Sequence, residues 1–163
     1  MIQFYKPTLK RKDMDSVLQT MVNEQIGPGE RGRAFVQYFC ETIAATSAIA
    51  YRTYPDCLSD ALKLMGAQKG VKVAVSPLSP LIYKSVIEST GAQMVYVDVN
   101  KETCCPDELL VAQSGAEILL LHETLGTLPV KYNEQTTFAE KYDYSSVKVI
   151  EDISDSIGSR VKD

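Results

Sequence analysis

The chain has 163 residues, 45% of them hydrophobic and 23% charged, with a net charge of -4. This suits one globular domain with a full core and excludes a disordered or fibrous protein. Lys and Arg are scattered and do not form a basic stripe, no apolar run reaches membrane-spanning length, and residues 1–12 contain no apolar signal core; neither a nucleic-acid nor a membrane partner is expected, and a cytoplasmic setting is the default.

In chain order, an extended opening runs to Pro7. Met14, Val17, Leu18 and Met21 then recur at helical spacing and predict a helix over 12–22, closed off by Gly27-Pro28-Gly29. A second helical stripe holds Ala34, Phe35, Tyr38, Phe39 and Ile43. From residue 46 onward, strand-like and helix-like runs alternate. Strands are predicted at 47–51, 72–76, 94–99, 117–122 and 148–153, and helices at 56–64, 79–89, 106–113 and 136–142. The run 118–121 is continuously apolar, as expected of a strand covered on both faces. The expected fold class is α/β, a three-layer α/β/α sandwich with a largely parallel sheet, in which 1–45 form a helical segment and 46–163 the alternating part of one domain.

Cys40, Cys57, Cys104 and Cys105 lack the CxxC spacing of zinc sites, and His122 is the one histidine. No metal is expected, and the cysteines are read as reduced thiols. Open parallel sheets bind ligands outside the carboxyl ends of their strands. That rule points to Arg52-Thr53, Ser76, residues 98–100, His122-Glu123 and residues 152–155 as a shared edge. The plainer reading of each is a polar loop residue in water. No GxGxxG or phosphate-loop motif follows a strand, which weighs against a nucleotide-binding Rossmann domain.

Several blocks occur in a telling order: Phe4-Tyr5-Lys6-Pro7, Gly27-Pro28, residues 70–75, residues 91–99, Val149-Ile150-Glu151-Asp152 and Ile157-Gly158-Ser159. In these the chain resembles the DegT/DnrJ/StrS family of aminotransferases, which use pyridoxal phosphate (PLP) and act on nucleotide-linked keto-sugars. The resemblance implies the N-terminal part of a fold-type I PLP-transferase large domain, a nucleotide-sugar substrate, an amino-acid donor such as glutamate, and a homodimer. It places Asp152 opposite the pyridine nitrogen of PLP, where a carboxylate keeps the ring protonated as an electron sink. Its alternative role is to cap the next helix. His122 falls near the cofactor.

Departures from the family pattern accompany the match. Where the family has a Ser-Gly-Thr turn at a helix N-terminus to receive the phosphate, this chain has Thr53-Tyr54-Pro55, followed by Asp56. Proline has no N–H to offer, and tyrosine replaces the glycine that allows close approach. The ring that stacks on PLP falls at Pro80, with Tyr83 the nearby aromatic substitute, and Asp155 adds a second negative charge three residues past Asp152. The cofactor-binding candidates are therefore Asp152, Thr53, Tyr54, Pro80, Tyr83, His122 and Asp155. The family's Schiff-base lysine lies well beyond the aspartate. Lys131, Lys141, Lys148 and Lys162 do not match it, so no catalytic residue is expected in this chain. Two functions follow: part of a longer aminotransferase-like protein, inactive alone, or a degenerate homologue serving as a ligand-binding or dimerisation module.

Overall fold

The computed structural model describes residues 6–101, 103–129 and 147–159. The chain divides into two compact units, Met1–Tyr51 and Arg52–Asp163. In the first unit, α1 spans Arg11–Val22 and α2 spans Glu30–Ile43. Asp13 accepts the backbone N–H of Lys10 at 2.8 Å and so tethers the start of α1. The helix α2 ends at Ala44, whose φ of 54° is left-handed. Neither helix buries a residue, and Met14, Val17, Leu18, Met21, Phe35 and Tyr38 are all exposed.

The strand predicted at 47–51 is absent: these residues form no ladder among the described residues. A strand exists only through a neighbour that exchanges backbone hydrogen bonds with it. Composition alone therefore leaves this run unassigned.

In the second unit, α3 spans Tyr54–Leu64, β1 Lys72–Val75, α4 Ile82–Ser89, β2 Gln93–Tyr96, α5 Glu108–Gln113, β3 Ile118–His122 and β4 Lys148–Asp152. The sheet order is β2-β1-β3-β4 and every pairing is parallel. The chain moves outward from β1 to β2 and then returns to the other side of β1, so the direction of winding switches between β1 and β3.

Side-chain alternation builds two cores from the same strands. Val73, Val75, Ile118 and Leu120 face Leu58 and Leu62 of α3 and Tyr83, Val86 and Ile87 of α4. Ala74, Leu119 and Leu121 face the other way, onto Val111 of α5, Val97 and Cys105. Helices thus cover both faces, and β3 is buried along its whole length, which is why it reads as an unbroken apolar run.

Element ends have local causes. Strand β2 stops at Tyr96, short of the predicted 99, because its partner β1 ends at Val75 and only the bond from Val97 N–H to Val75 C=O, at 2.9 Å, extends the ladder. The helix α4 starts at Ile82, later than predicted; Pro80 disfavours helical backbone at Ser79 and so removes the first predicted position. Asp107 caps α5 by accepting the N–H groups of Leu109 and Leu110. Gly91 turns the chain from α4 into β2 at φ 83°, and a Cβ there would stand 3.3 Å from the backbone nitrogen of Lys69. The helix predicted at 136–142 lies outside the described residues.

Leu120 is fully buried between two neighbouring strands and the α3–α4 layer. Leu120→Ala is expected to lower the unfolding free energy by about 2–5 kcal/mol, measurable as a reduced urea midpoint at unchanged slope.

Candidate functional site

Parallel strands deliver their carboxyl ends to one edge, and there His122 of β3 stands in register with Asp152 of β4. Asp152 is buried, 8% exposed. Its Oδ2 accepts the phenol of Tyr54 at 2.5 Å and the phenol of Tyr83 at 2.5 Å. Its Oδ1 accepts the backbone N–H of Ser154 at 3.0 Å and also the Ser154 hydroxyl. The bond to the residue two positions on closes an Asx turn, so the expected cap is present, on a turn and not on a helix.

These bonds set the charge state. Burial by itself pushes the Asp152 carboxyl up, but the hydrogen bonds from Ser154, Tyr54 and Tyr83 outweigh it and hold the group below the ordinary carboxylate range. The phenols respond in the opposite sense: burial, then the bond to Asp152, pushes both Tyr54 and Tyr83 above the usual tyrosine range. Both therefore stay protonated as donors, and bonds of this length to a carboxylate are charge-assisted.

His122 is also buried. Its Nδ1 lies 2.9 Å from Thr124 Oγ1 and its Nε2 3.5 Å from Asp155 Oδ2, and its ring meets Tyr83 edge-on with centroids 6.1 Å apart. Asp155 also accepts the backbone N–H of Leu125 at 3.4 Å. The second negative charge read from the sequence therefore faces the imidazole. Next to it, the Glu123 carboxylate is buried and accepts the hydroxyl of Ser156. The neighbouring Cys105 thiol is pushed up to about 11 by burial and by the Glu123 charge, which leaves it an unreactive thiol at neutral pH.

Thr53 caps α3: its hydroxyl donates to Asp56 Oδ2 at 2.6 Å and accepts the Asp56 N–H at 3.4 Å. Pro55 has no N–H, and the N–H of Cys57 is bonded to the Thr53 carbonyl at 3.3 Å. Pro80 sits where α4 begins. Its carbonyl accepts the N–H of Tyr83 at 3.0 Å, and it lines a small cleft of about 120 Å³ with Ser76, Ser79 and Tyr96. Tyr54, Tyr83, Asp152, His122 and Asp155 thus meet at one edge, while Thr53 and Pro80 serve the starts of their helices. Lys148 donates to the carbonyl of Met65 at 2.8 Å; Lys131, Lys141 and Lys162 lie outside the described residues.

Ser154 was not singled out from the sequence, although an Asp followed two residues later by Ser is a recognisable Asx-turn signal. The phenol bonds carried no such signal, because their partners lie 98 and 69 residues away.

A parallel sheet clad by helices on both faces, with an aspartate at the carboxyl end of a strand, is the framework of the fold-type I PLP-dependent transferases. The sequence matches the DegT/DnrJ/EryC1/StrS aminotransferase family over residues 7–163, and the chain belongs to that family. It is similar in structure to the aminotransferase TlmJ from Streptoalloteichus hindustanus, with a TM-score of 0.83 and 23% identity over 99% of this chain and 44% of that one. It also resembles 3-amino-5-hydroxybenzoic acid synthase, with a TM-score of 0.79 and 20% identity over 96% and 41% of the two chains. A third similar structure is GDP-4-keto-6-deoxy-D-mannose-3-dehydratase of E. coli with bound hydrated PLP, at a TM-score of 0.65 and 15% identity over 74% and 33%. This chain spans 33% to 44% of the length of these proteins.

PLP is the cofactor of this family, and the residues in place here do not fit it. Both lone pairs of Asp152 Oδ2 are taken by phenols, where a pyridine N–H would bond. In the first turn of α3 a phosphate would meet a proline without an N–H, the Asp56 carboxylate, and the N–H groups of Asp56 and Cys57, which are bonded to Thr53. Proline at position 80 supplies no aromatic face.

Tyr83→Phe is expected to cost about 1.5–3 kcal/mol of stability at neutral pH, through loss of a buried hydrogen bond to a charged group. Because the folded-state pKa of Asp152 is depressed, its contribution is complete above the unfolded carboxylate value of roughly 3.9 and is lost as pH falls through the folded value. The gap between variant and wild type, followed by urea unfolding at descending pH, should narrow in that acidic window and stay constant above it.

Proposed function

We propose that this chain is a family member that keeps the transferase framework without its cofactor contacts, and that it carries out no amino transfer by itself. In this reading residues 1–163 form one partial large domain that serves as a ligand-binding or dimerisation module. The observation that carries it is the Asp152 carboxylate, whose hydrogen-bonding positions are filled by Tyr54, Tyr83 and Ser154.

One observation favours a second reading, in which the chain is the amino-terminal portion of a working sugar aminotransferase. Asp152 remains ionised at the end of β4 beside His122, which is the charge a cationic ring would need. The whole protein would then move an amino group from an amino acid such as glutamate to a nucleotide-linked keto-sugar, with the lysine supplied from outside this chain.

Incubation with PLP, borohydride reduction and peptide mapping tests the first reading. No single lysine is expected to carry the label stoichiometrically, and no 2-oxoglutarate should form from glutamate. Stoichiometric labelling of one lysine, or keto-acid release, would refute it.

Self-association is part of the same proposal. The exposed apolar side chains of α1 and α2 support it, as does a groove of about 990 Å³ lined by Val36, Cys40, Ala45 and Ala48. Light scattering after size exclusion should give twice the 18.0 kDa chain mass. A monomer at high micromolar concentration would count against it.

A further inference from the structure

A carboxylate has two oxygens and about four in-plane lone-pair positions. In Asp152 each is matched by a donor of this chain: Tyr54, Tyr83, and the N–H and hydroxyl of Ser154. A ring N–H can therefore reach this carboxylate only by displacing one of them.

The donors differ in their freedom to leave. The Ser154 N–H is backbone, held two residues away in the Asx turn, and the Ser154 hydroxyl belongs to the same residue. Tyr83 is 1% exposed and packs in the core with Leu58, Leu62 and Ile87. Its departure would open that core. Tyr54 is 38% exposed and stands at the first position of α3, outside the core clusters. The Ser154 hydroxyl could rotate away with the turn intact, but that would free a position on Oδ1 only; of the two donors on Oδ2, the Tyr54 phenol alone can withdraw without opening the core.

We propose that Tyr54 is the occluding residue of this site: its phenol holds the position on Asp152 Oδ2 that a protonated ring nitrogen requires, and makes the carboxylate a clamp joining α3 and α4 to β4. This deepens the reading above and rests on it. The same tyrosine stands where the family turn carries glycine, so one side chain both fills the space and satisfies the charge. The occlusion is reversible by substitution, because the anchor carboxylate is intact beneath it.

The test uses the full chain and pyridoxamine 5′-phosphate, which has no aldehyde to react with lysines. Equilibrium dialysis should show no saturable binding to wild type. Tyr54→Gly should bind the probe at least about tenfold more tightly, the lower end of what one hydrogen bond to a charged group contributes. Asp152→Asn placed in the Tyr54→Gly background should abolish the gain. Equal binding by wild type and Tyr54→Gly, or a gain that survives Asp152→Asn, overturns the proposal.

A second measurement is independent of how well Tyr54→Gly folds. With tyrosine labelled at the phenolic carbon, Asp152→Asn should shift the NMR resonances of Tyr54 and Tyr83, each assigned by its loss in the Tyr→Phe variant. A Tyr54 resonance that does not move overturns the clamp. Labelling of a lysine by PLP and borohydride defeats the wider reading whatever the probe does; a chain that is silent in that assay but binds the probe equally with and without Tyr54 defeats the occlusion alone.

Discussion

A buried carboxylate is stable in a protein only when its charge is answered, and Asp152 is answered four times by groups of its own chain. Desolvation would push its proton affinity up; the donors reverse the direction and keep the group ionised. The consequence is mechanical as well as electrostatic. Tyr54 belongs to α3, Tyr83 to α4 and Asp152 to β4, so one carboxylate ties two helices to the edge strand of the sheet. The resemblance to the family assigns this position to a cofactor ring, and the proposal above rests on that assignment. Here the interaction has been turned inward, and the site's chemistry follows from that change.

The clamp depends on the parallel sheet. Only a common strand direction sets His122 beside Asp152 and brings the starts of α3 and α4 to the same edge. Apolar packing holds that geometry: two cores, one on each face, share strands whose alternate residues point in opposite directions. Other acidic groups near the edge have partners of their own. Asp155 lies against His122 and Glu123 accepts from Ser156, so Asp152 is left to the tyrosines.

The first turn of α3 combines two changes that act together. Thr53 caps the helix through Asp56, while Pro55 deletes an N–H and Tyr54 reaches across to Asp152. The N-terminus of α3 is an ordinary capped start. The capped helix start and the bond to Asp152 are thus both made by one short segment, residues 53–56.

Much of this was legible before any coordinates. The apolar run at 118–121 announced a strand covered on both faces, and the order of blocks through Val149-Ile150-Glu151-Asp152 announced the family. These are local patterns, written in neighbouring residues. Where prediction failed, the cause was non-local. Residues 47–51 have strand-like composition but no ladder among the described residues, and β2 stops early because β1 does. Tyr83, expected as a replacement stacking ring, proved to be a core residue whose hydroxyl holds Asp152. The sequence by itself determined the α/β class, the family and the residue types at the strand ends, because periodicity and motif order depend only on near neighbours. Which phenol meets which carboxylate, and hence whether Asp152 faces a ligand or its own chain, was decided only by the tertiary structure, because hydrogen bonds between residues 98 and 69 positions apart arise solely from the packing of helices on the sheet.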